Sequence, residues 1–147
     1  MSVSPLQKKD RARGVGRVSG TAIAVLLMLL VAPIVALSRM TPWVDWRILV
    51  GGPVAVSVFT YFSYRSDKRH AEAGDWRIPE STLHLMELLG GWPGAFLSQR
   101  IFRHKTSKLS YQVAFWIIVL LHQLLALDYL IGWRLSHGLI HYIKSKL

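Results

Sequence analysis

The chain has no cysteine, which removes disulfide stapling and cysteine nucleophiles together. It also lacks a GxSxG nucleophile elbow, an HExxH metal helix and a glycine-rich phosphate loop, so no familiar catalytic signature marks it as an enzyme. Charge is scarce: 18% of residues are charged against 52% hydrophobic, and the apolar residues fall in runs, which excludes a disordered chain. Acidic residues are scarcer still, 8 against 18 Lys and Arg. At 147 residues the chain is one unit, and a bilayer suits its composition better than water.

The charge-free intervals define the architecture. Twenty-one uncharged residues separate Arg17 from Arg39, and crossing a hydrocarbon core of about 30 Å takes about 20. A basic amino end precedes this run as in a signal peptide, but the run is longer than a signal core and further spans follow it. Pro33 lies inside, where its missing N–H predicts a bend. A second interval runs from Ile48 to Tyr64, with Trp43 and Trp46 expected in the headgroup belt at one face and Tyr61, Phe62 and Tyr64 at the other. The third, Leu109 to Leu127, contains Gln112, His122 and Gln123, the more buried of which should face other helices. In the tail, Leu135, Leu139, Ile140 and Ile143 recur at helical spacing, as in an interfacial amphipathic helix or an extension of the last span past a bend at Gly132.

The expected fold is therefore an all-α integral membrane bundle. It comprises a basic cytoplasmic tail (1–17), a first transmembrane helix (18–38), a membrane domain (48–127) and an amphipathic carboxyl-terminal tail (128–147). Residues 79–102 form a fourth segment that either crosses or turns back. Pro79 and Glu80 mark a helix start, and Gly90, Gly94 and Ser98 give small-xxx-small spacing, which together favour crossing. Against this, Gly90-Gly91 and Pro93-Gly94 could break a re-entrant hairpin, allowed where protein or water satisfies the backbone. With three spans, thirteen Lys and Arg lie on the amino-terminal side and five on the other; with four, twelve and six. Both arrangements place the amino terminus in the cytoplasm and the chain in an inner membrane.

Mixed charge is densest in 65–80 and 100–108, which flank the contested segment. These clusters meet if the segment turns back and lie at opposite interfaces if it crosses. One reading makes Arg65, Lys68, Arg100, Arg103, Lys105 and Lys108 anchors on anionic phospholipid headgroups. A second makes a phosphate or carboxylate site, with Arg77 and Arg103 as fork donors, Lys68 and Lys105 as point charges, and Asp67 and Glu80 orienting them. His70 and His104 with Asp67 or Glu72, or His84 with Glu87, supply an incomplete ligand set, so neither a metal nor a cofactor is expected. A formal charge of +10 invites a nucleic-acid reading, but the largest regional excess lies in the amino-terminal tail without interleaved aromatics, which makes nucleic acid a poor partner.

Asp67-Lys68, Ala71, Trp76-Arg77-Ile78-Pro79-Glu80, Leu83, Gly90-Gly91-Trp92-Pro93-Gly94 and Arg103-His104-Lys105-Thr106 with Lys108 resemble the DUF1294 family of small bacterial membrane proteins. The resemblance extends through the adjacent helices over roughly 48–127. It nominates Asp67, Lys68, Arg77, Glu80, Arg103, His104, Lys105 and Lys108 without assigning an activity. Some relatives carry an amino-terminal cold-shock barrel; the roughly 20 residues before the first span here are too few for one. Two readings stay open: a structural or interaction component, with a membrane-protein partner or a homo-oligomer, and a protein that binds or processes an anionic lipid or solute.

Overall fold

The computed structural model describes residues 18–76 and 78–146; the basic tail 1–17, Arg77 and Leu147 lie outside the described residues. Among these, all regular structure is helical. Helix α1 spans Gly20–Met40, α2 Trp46–Ala73, α3 Glu80–Met86, α4 Trp92–Phe102, α5 Leu109–Leu130 and α6 Arg134–Lys144, with a π-helical turn at Glu87–Gly91 between α3 and α4.

Local chemistry sets the ends. Ser19 caps α1 by accepting from the Ala22 N–H at 3.2 Å, and Asp45 caps α2 by accepting from the Arg47 N–H at 2.8 Å. Two helices are long and apolar enough to cross a membrane, α1 and α5. Helix α2 is longer, at 28 residues, but falls short of that standard, so two of the three expected spans meet it. The physical reason is that its polar residues form its packing face: Thr60, Ser63, Tyr64 and Asp67 are all buried against other helices.

Helices α1 and α5 run in the same direction, and their contact explains how α1 tolerates Pro33. Proline at position 33 cannot donate to the carbonyl four residues earlier, that of Leu29. Gln123 of α5 donates to that carbonyl through Nε2 at 2.9 Å, and Arg39 near the end of α1 reaches the Leu130 carbonyl at the end of α5 at 3.2 Å. His122 keeps its bond within its own helix, to the Ile118 carbonyl.

Residues 79–102 turn back. Asp67 of α2 accepts from the Ile78 N–H just before α3 and bonds His104 just after α4, so both ends of the segment sit at one level of α2. Its turn lies ten residues lower, where Ser57 Oγ donates to the Gly90 carbonyl at 3.4 Å. Ten helical residues rise about 15 Å, which is half the thickness of a hydrocarbon core. The straight crossing favoured by length and start signal fails at Gly90, whose φ of 102° lies in a region that residues with a Cβ rarely adopt.

The small-residue spacing also acts differently from expectation. A Cβ on Gly90 would meet nothing within 4 Å, whereas one on Gly94 would lie 2.0 Å from the Ser57 carbonyl oxygen and one on Gly91 would lie 2.1 Å from Thr60 Oγ1. Gly94 therefore lets the hairpin lie against the α2 backbone and Gly91 lets it lie against the Thr60 side chain, while Gly90 makes the turn. Ser98, one helical turn beyond Gly94, is buried and donates to the Gly94 carbonyl at 2.7 Å. Trp92, Phe96, Phe115 and Val119 close the apolar core around this contact.

After α5, the chain bends at Gly132 and Trp133, both with positive φ, and α6 starts with its Leu135 and Ser136 N–H groups held by the Asp128 carboxylate. No residue of α6 is buried. Leu135, Leu139 and Ile143 line one exposed face at four-residue spacing.

Candidate functional site

The hairpin brings the two charged segments together at one end of the bundle. Asp67 is fully buried and bonds His104 Nε2 at 2.7 Å, with Lys105 Nζ at 3.8 Å. Glu80, at the mouth of the hairpin, takes Lys105 and Lys108 on its two oxygens, each at 2.7 Å. Hydrogen bonds from Lys105 and then Lys108 hold the Glu80 carboxyl down at about 2, well below its ordinary 4.5. Arg103 and Lys105 both have positive φ, at 47° and 62°, and this sharp exit from α4 swings His104 and Lys105 back toward α2 and α3.

Of the nominated residues, Asp67, Glu80, His104, Lys105 and Lys108 form one assembly. Lys68 stands apart, 3.5 Å from Glu72 on the outer side of α2. Arg103 is exposed, and Arg77 lies outside the described residues. Among the described residues, the carboxylates therefore orient His104, Lys105 and Lys108 rather than Arg103 and Lys68. Among the described residues, no three His, Asp or Glu side chains are placed to share a metal ion.

A second polar assembly lies deeper. Glu87, on the π turn, is fully buried and receives His84 Nδ1 on Oε2 at 2.7 Å. Its Oε1 bonds the phenol oxygens of Tyr64 from α2 and Tyr111 from α5, the latter at 3.0 Å, and the two phenols lie 2.5 Å from each other. The His84 ring stacks on Tyr111 at 4.2 Å between centroids. One carboxyl group thus ties three helices at the bottom of the polar hairpin.

The two assemblies are joined by amides. Gln99 of α4 donates to the Tyr64 oxygen at 3.2 Å, and Gln112 of α5 donates to Gln99 Oε1 at 2.7 Å and to the Lys105 carbonyl at 2.9 Å. Among the described residues, no buried side-chain nitrogen or oxygen is left without a partner. A polar chain thus runs from the exposed Lys108 to the buried Glu87.

Sequence reasoning missed Tyr64, Gln99 and Tyr111 as members of this site and set His84 and Glu87 aside as an incomplete metal pair. Tyr64 was expected in an interfacial belt with Tyr61 and Phe62; it is fully buried, and only Phe62 of the three is exposed. The available signal was spacing: Ser57, Thr60, Tyr64 and Asp67 recur at three and four residues along α2, which is a polar stripe on one helical face.

Comparison with known proteins locates the same region. The chain is 29% identical over 76 residues to the uncharacterized protein YsdA of Bacillus subtilis (strain 168), an alignment covering 52% of this chain and 85% of YsdA. No solved structure matches it. Residues 57–111 match a family described as a protein of unknown function, DUF1294, and they run from Ser57, which touches the hairpin turn, to Tyr111, which closes on Glu87. The region that builds the hairpin and both polar assemblies therefore belongs to the DUF1294 family.

Proposed function

We propose that the chain is a multi-pass protein of the bacterial inner membrane with a structural or interaction role. In this reading α1, α2 and α5 cross, and the α3–α4 hairpin enters halfway from the cytoplasmic side. Support for the membrane comes from exposure: only 11% of the apolar window of α1 and 22% of that of α5 are buried within the molecule. Leu27, Met28 and Val31 on α1, and Ile117, Leu120 and Leu124 on α5, face outward and need a partner less polar than water. Arg65, Lys68, Arg69, Arg100, Arg103, Lys105 and Lys108 belong to the hairpin-mouth end, as expected of a cytoplasmic face.

One observation carries the structural role. The carboxylates at the hairpin mouth are committed to partners in the same chain, Glu80 to Lys105 and Lys108 and Asp67 to His104, so the cluster fastens the hairpin. The native chain has no cysteine, so single-cysteine variants report sidedness without background. Ser107→Cys should react with an impermeant thiol reagent only from the cytoplasmic side, and Thr41→Cys and Ser145→Cys only from outside. Cytoplasmic labelling at position 145 would overturn the three-crossing arrangement. Purification in mild detergent as a stoichiometric complex or homo-oligomer would support the interaction role, and a monomer with no partner would count against it.

A second reading rests on a groove along α2 lined by Phe62, Arg65, Arg69 and His70. It sets two guanidinium groups one and two turns beyond an outward-facing aromatic ring, a geometry suited to an anionic phospholipid headgroup. Loss of co-purifying anionic lipid in the Arg65→Ala, Arg69→Ala double variant would favour it.

A further inference from the structure

We propose that α6 docks on the bilayer surface, with its apolar side sunk into the acyl boundary and its basic side lying among anionic phospholipid headgroups. This placement rests on the multi-pass reading, which puts the end of α5 on the face opposite the hairpin mouth. It goes beyond that reading by giving an occupant to a surface the bundle leaves bare. The helical repeat alone divides α6 in two. At about 100° per residue, Arg134, His137, His141 and Lys144 fall within an arc of about 80°. Leu135, Leu139, Tyr142 and Ile143, all exposed, fall within about 100° on the opposite side.

Asp128 fixes how this helix is turned. Its carboxylate accepts from the Leu135 and Ser136 N–H groups at 2.9 and 3.3 Å and from the Ser136 hydroxyl. Ser136 is the one partly covered residue of α6, so it marks the side turned toward the bundle. Counted round the helix from Ser136, Leu139, Ile140 and Ile143 lie within about 60°. The four basic residues lie about 80° or more away. The side that looks back along α5, toward the bilayer in the multi-pass reading, is therefore apolar. It continues the outward surface of α5 through Leu124 and Leu127. At the bend between the two helices the Tyr129 and Trp133 rings pack edge to face at 6.0 Å, a pair suited to the headgroup level.

Among possible occupants, the lipid surface matches both sides of α6. A stable protein contact uses about 20–30 residues a side, whereas α6 has eleven residues and five of them are apolar. A second copy would bring a second basic edge, and no acidic residue follows Asp128 to neutralise it. An anionic membrane accepts the apolar side at the acyl boundary and the basic side at its surface. Docking there fixes the depth of α5. It also steadies the end of α1, because Arg39 bonds the Leu130 carbonyl at 3.2 Å.

The absence of cysteine makes single nitroxide labels specific. Full-length protein labelled at Leu139→Cys, Ile143→Cys, His137→Cys or His141→Cys is placed in nanodiscs of phosphatidylglycerol and phosphatidylcholine in equal amounts. Collision rates with oxygen and with a water-soluble nickel chelate then report depth. Labels at 139 and 143 should lie about 5–10 Å inside the boundary, and those at 137 and 141 should meet the nickel chelate freely. In phosphatidylcholine alone, 139 and 143 should shift toward water; an unchanged depth would overturn the headgroup contact. Equal nickel accessibility at 139 and 137 would overturn the docking itself. So would a label at 139 that is shielded from both reagents, as under a protein partner. Spin broadening at 139 that disappears on dilution with unlabelled protein would put a second copy there instead. Labels at Met28→Cys on α1 and Leu120→Cys on α5 separate the two levels. With those two oxygen-rich, a water-exposed 139 overturns the docking of α6 alone; with those two in water, the membrane reading falls and this placement with it.

Discussion

The bond from Gln123 to the Leu29 carbonyl can be tested as a pair with the proline that makes it necessary. Pro33 deprives that carbonyl of its helical donor, and the Gln123 amide on α5 replaces it at 2.9 Å. Gln123→Leu keeps the side chain's bulk and leaves the carbonyl unpartnered. A buried unpaired acceptor costs about 1–3 kcal/mol in a protein interior, while polar contacts between membrane helices average about 0.6 and reach about 1.7 kcal/mol. The expected loss is about 1 kcal/mol, roughly a fivefold change in the unfolding equilibrium. In a Pro33→Ala background the new N–H at position 33 restores the helical bond, and Gln123→Leu should then cost close to nothing. The assay is a double-mutant cycle on denaturation in detergent, followed through the fluorescence of the six tryptophans. A coupling of about 1 kcal/mol is expected. Additivity within about 0.3 kcal/mol would show that Gln123 does not act through the carbonyl that Pro33 frees.

Two further outcomes follow from the hairpin. Gly94→Ala places a Cβ 2.0 Å from the Ser57 carbonyl oxygen, where ordinary contact begins at 3.4 Å, and neither partner is a flexible side chain. The cost should be about 1–3 kcal/mol in thermal stability, while Gly52→Ala, with nothing within 4 Å, should be neutral or slightly stabilising; equal midpoints for the two would refute the close-packing account. Glu80→Gln removes the fastening at the hairpin mouth. Because the folded carboxyl is held at about 2, below its ordinary 4.5, its stabilisation is full above 4.5 and is lost as pH falls through about 2. Denaturation midpoints should therefore differ between wild type and variant at pH 7 by less than about 1 kcal/mol, as suits a third-exposed pair, and converge near pH 2. A difference that grows on acidification would contradict this.

The helical class and the positions of α1 and α5 were legible because an uninterrupted apolar run of about 20 residues has few alternative fates. Helix α2 was legible as a helix and not in its role. Its interior polar residues lowered its apolar character, and they did so because they are its contact face. The mouth of the site was partly legible: Asp67, Glu80, His104, Lys105 and Lys108 stood out as charge. Lys68 and Arg103 looked equivalent in sequence and lie outside the ion pairs of the mouth, since local density does not say which way a side chain turns. Tyr64, Gln99 and Tyr111 were hidden because an aromatic or amide residue in an apolar run reads as belt or packing until its partners are known.

By itself the sequence determined where charge is tolerated, and so which segments can leave water. It also placed the break at Gly90-Gly91 and Pro93-Gly94, without saying whether the chain bends there or continues. Only the tertiary structure decided that. Gly90 takes a φ of 102°, Gly94 lets two backbones touch, and the Glu80 carboxylate meets Lys105 and Lys108 at one end of the bundle. The physical reason is that direction reversal depends on contacts among residues distant in sequence. Once the chain had turned back, two charged segments became one assembly and a lone Glu87 became the point at which three helices are joined.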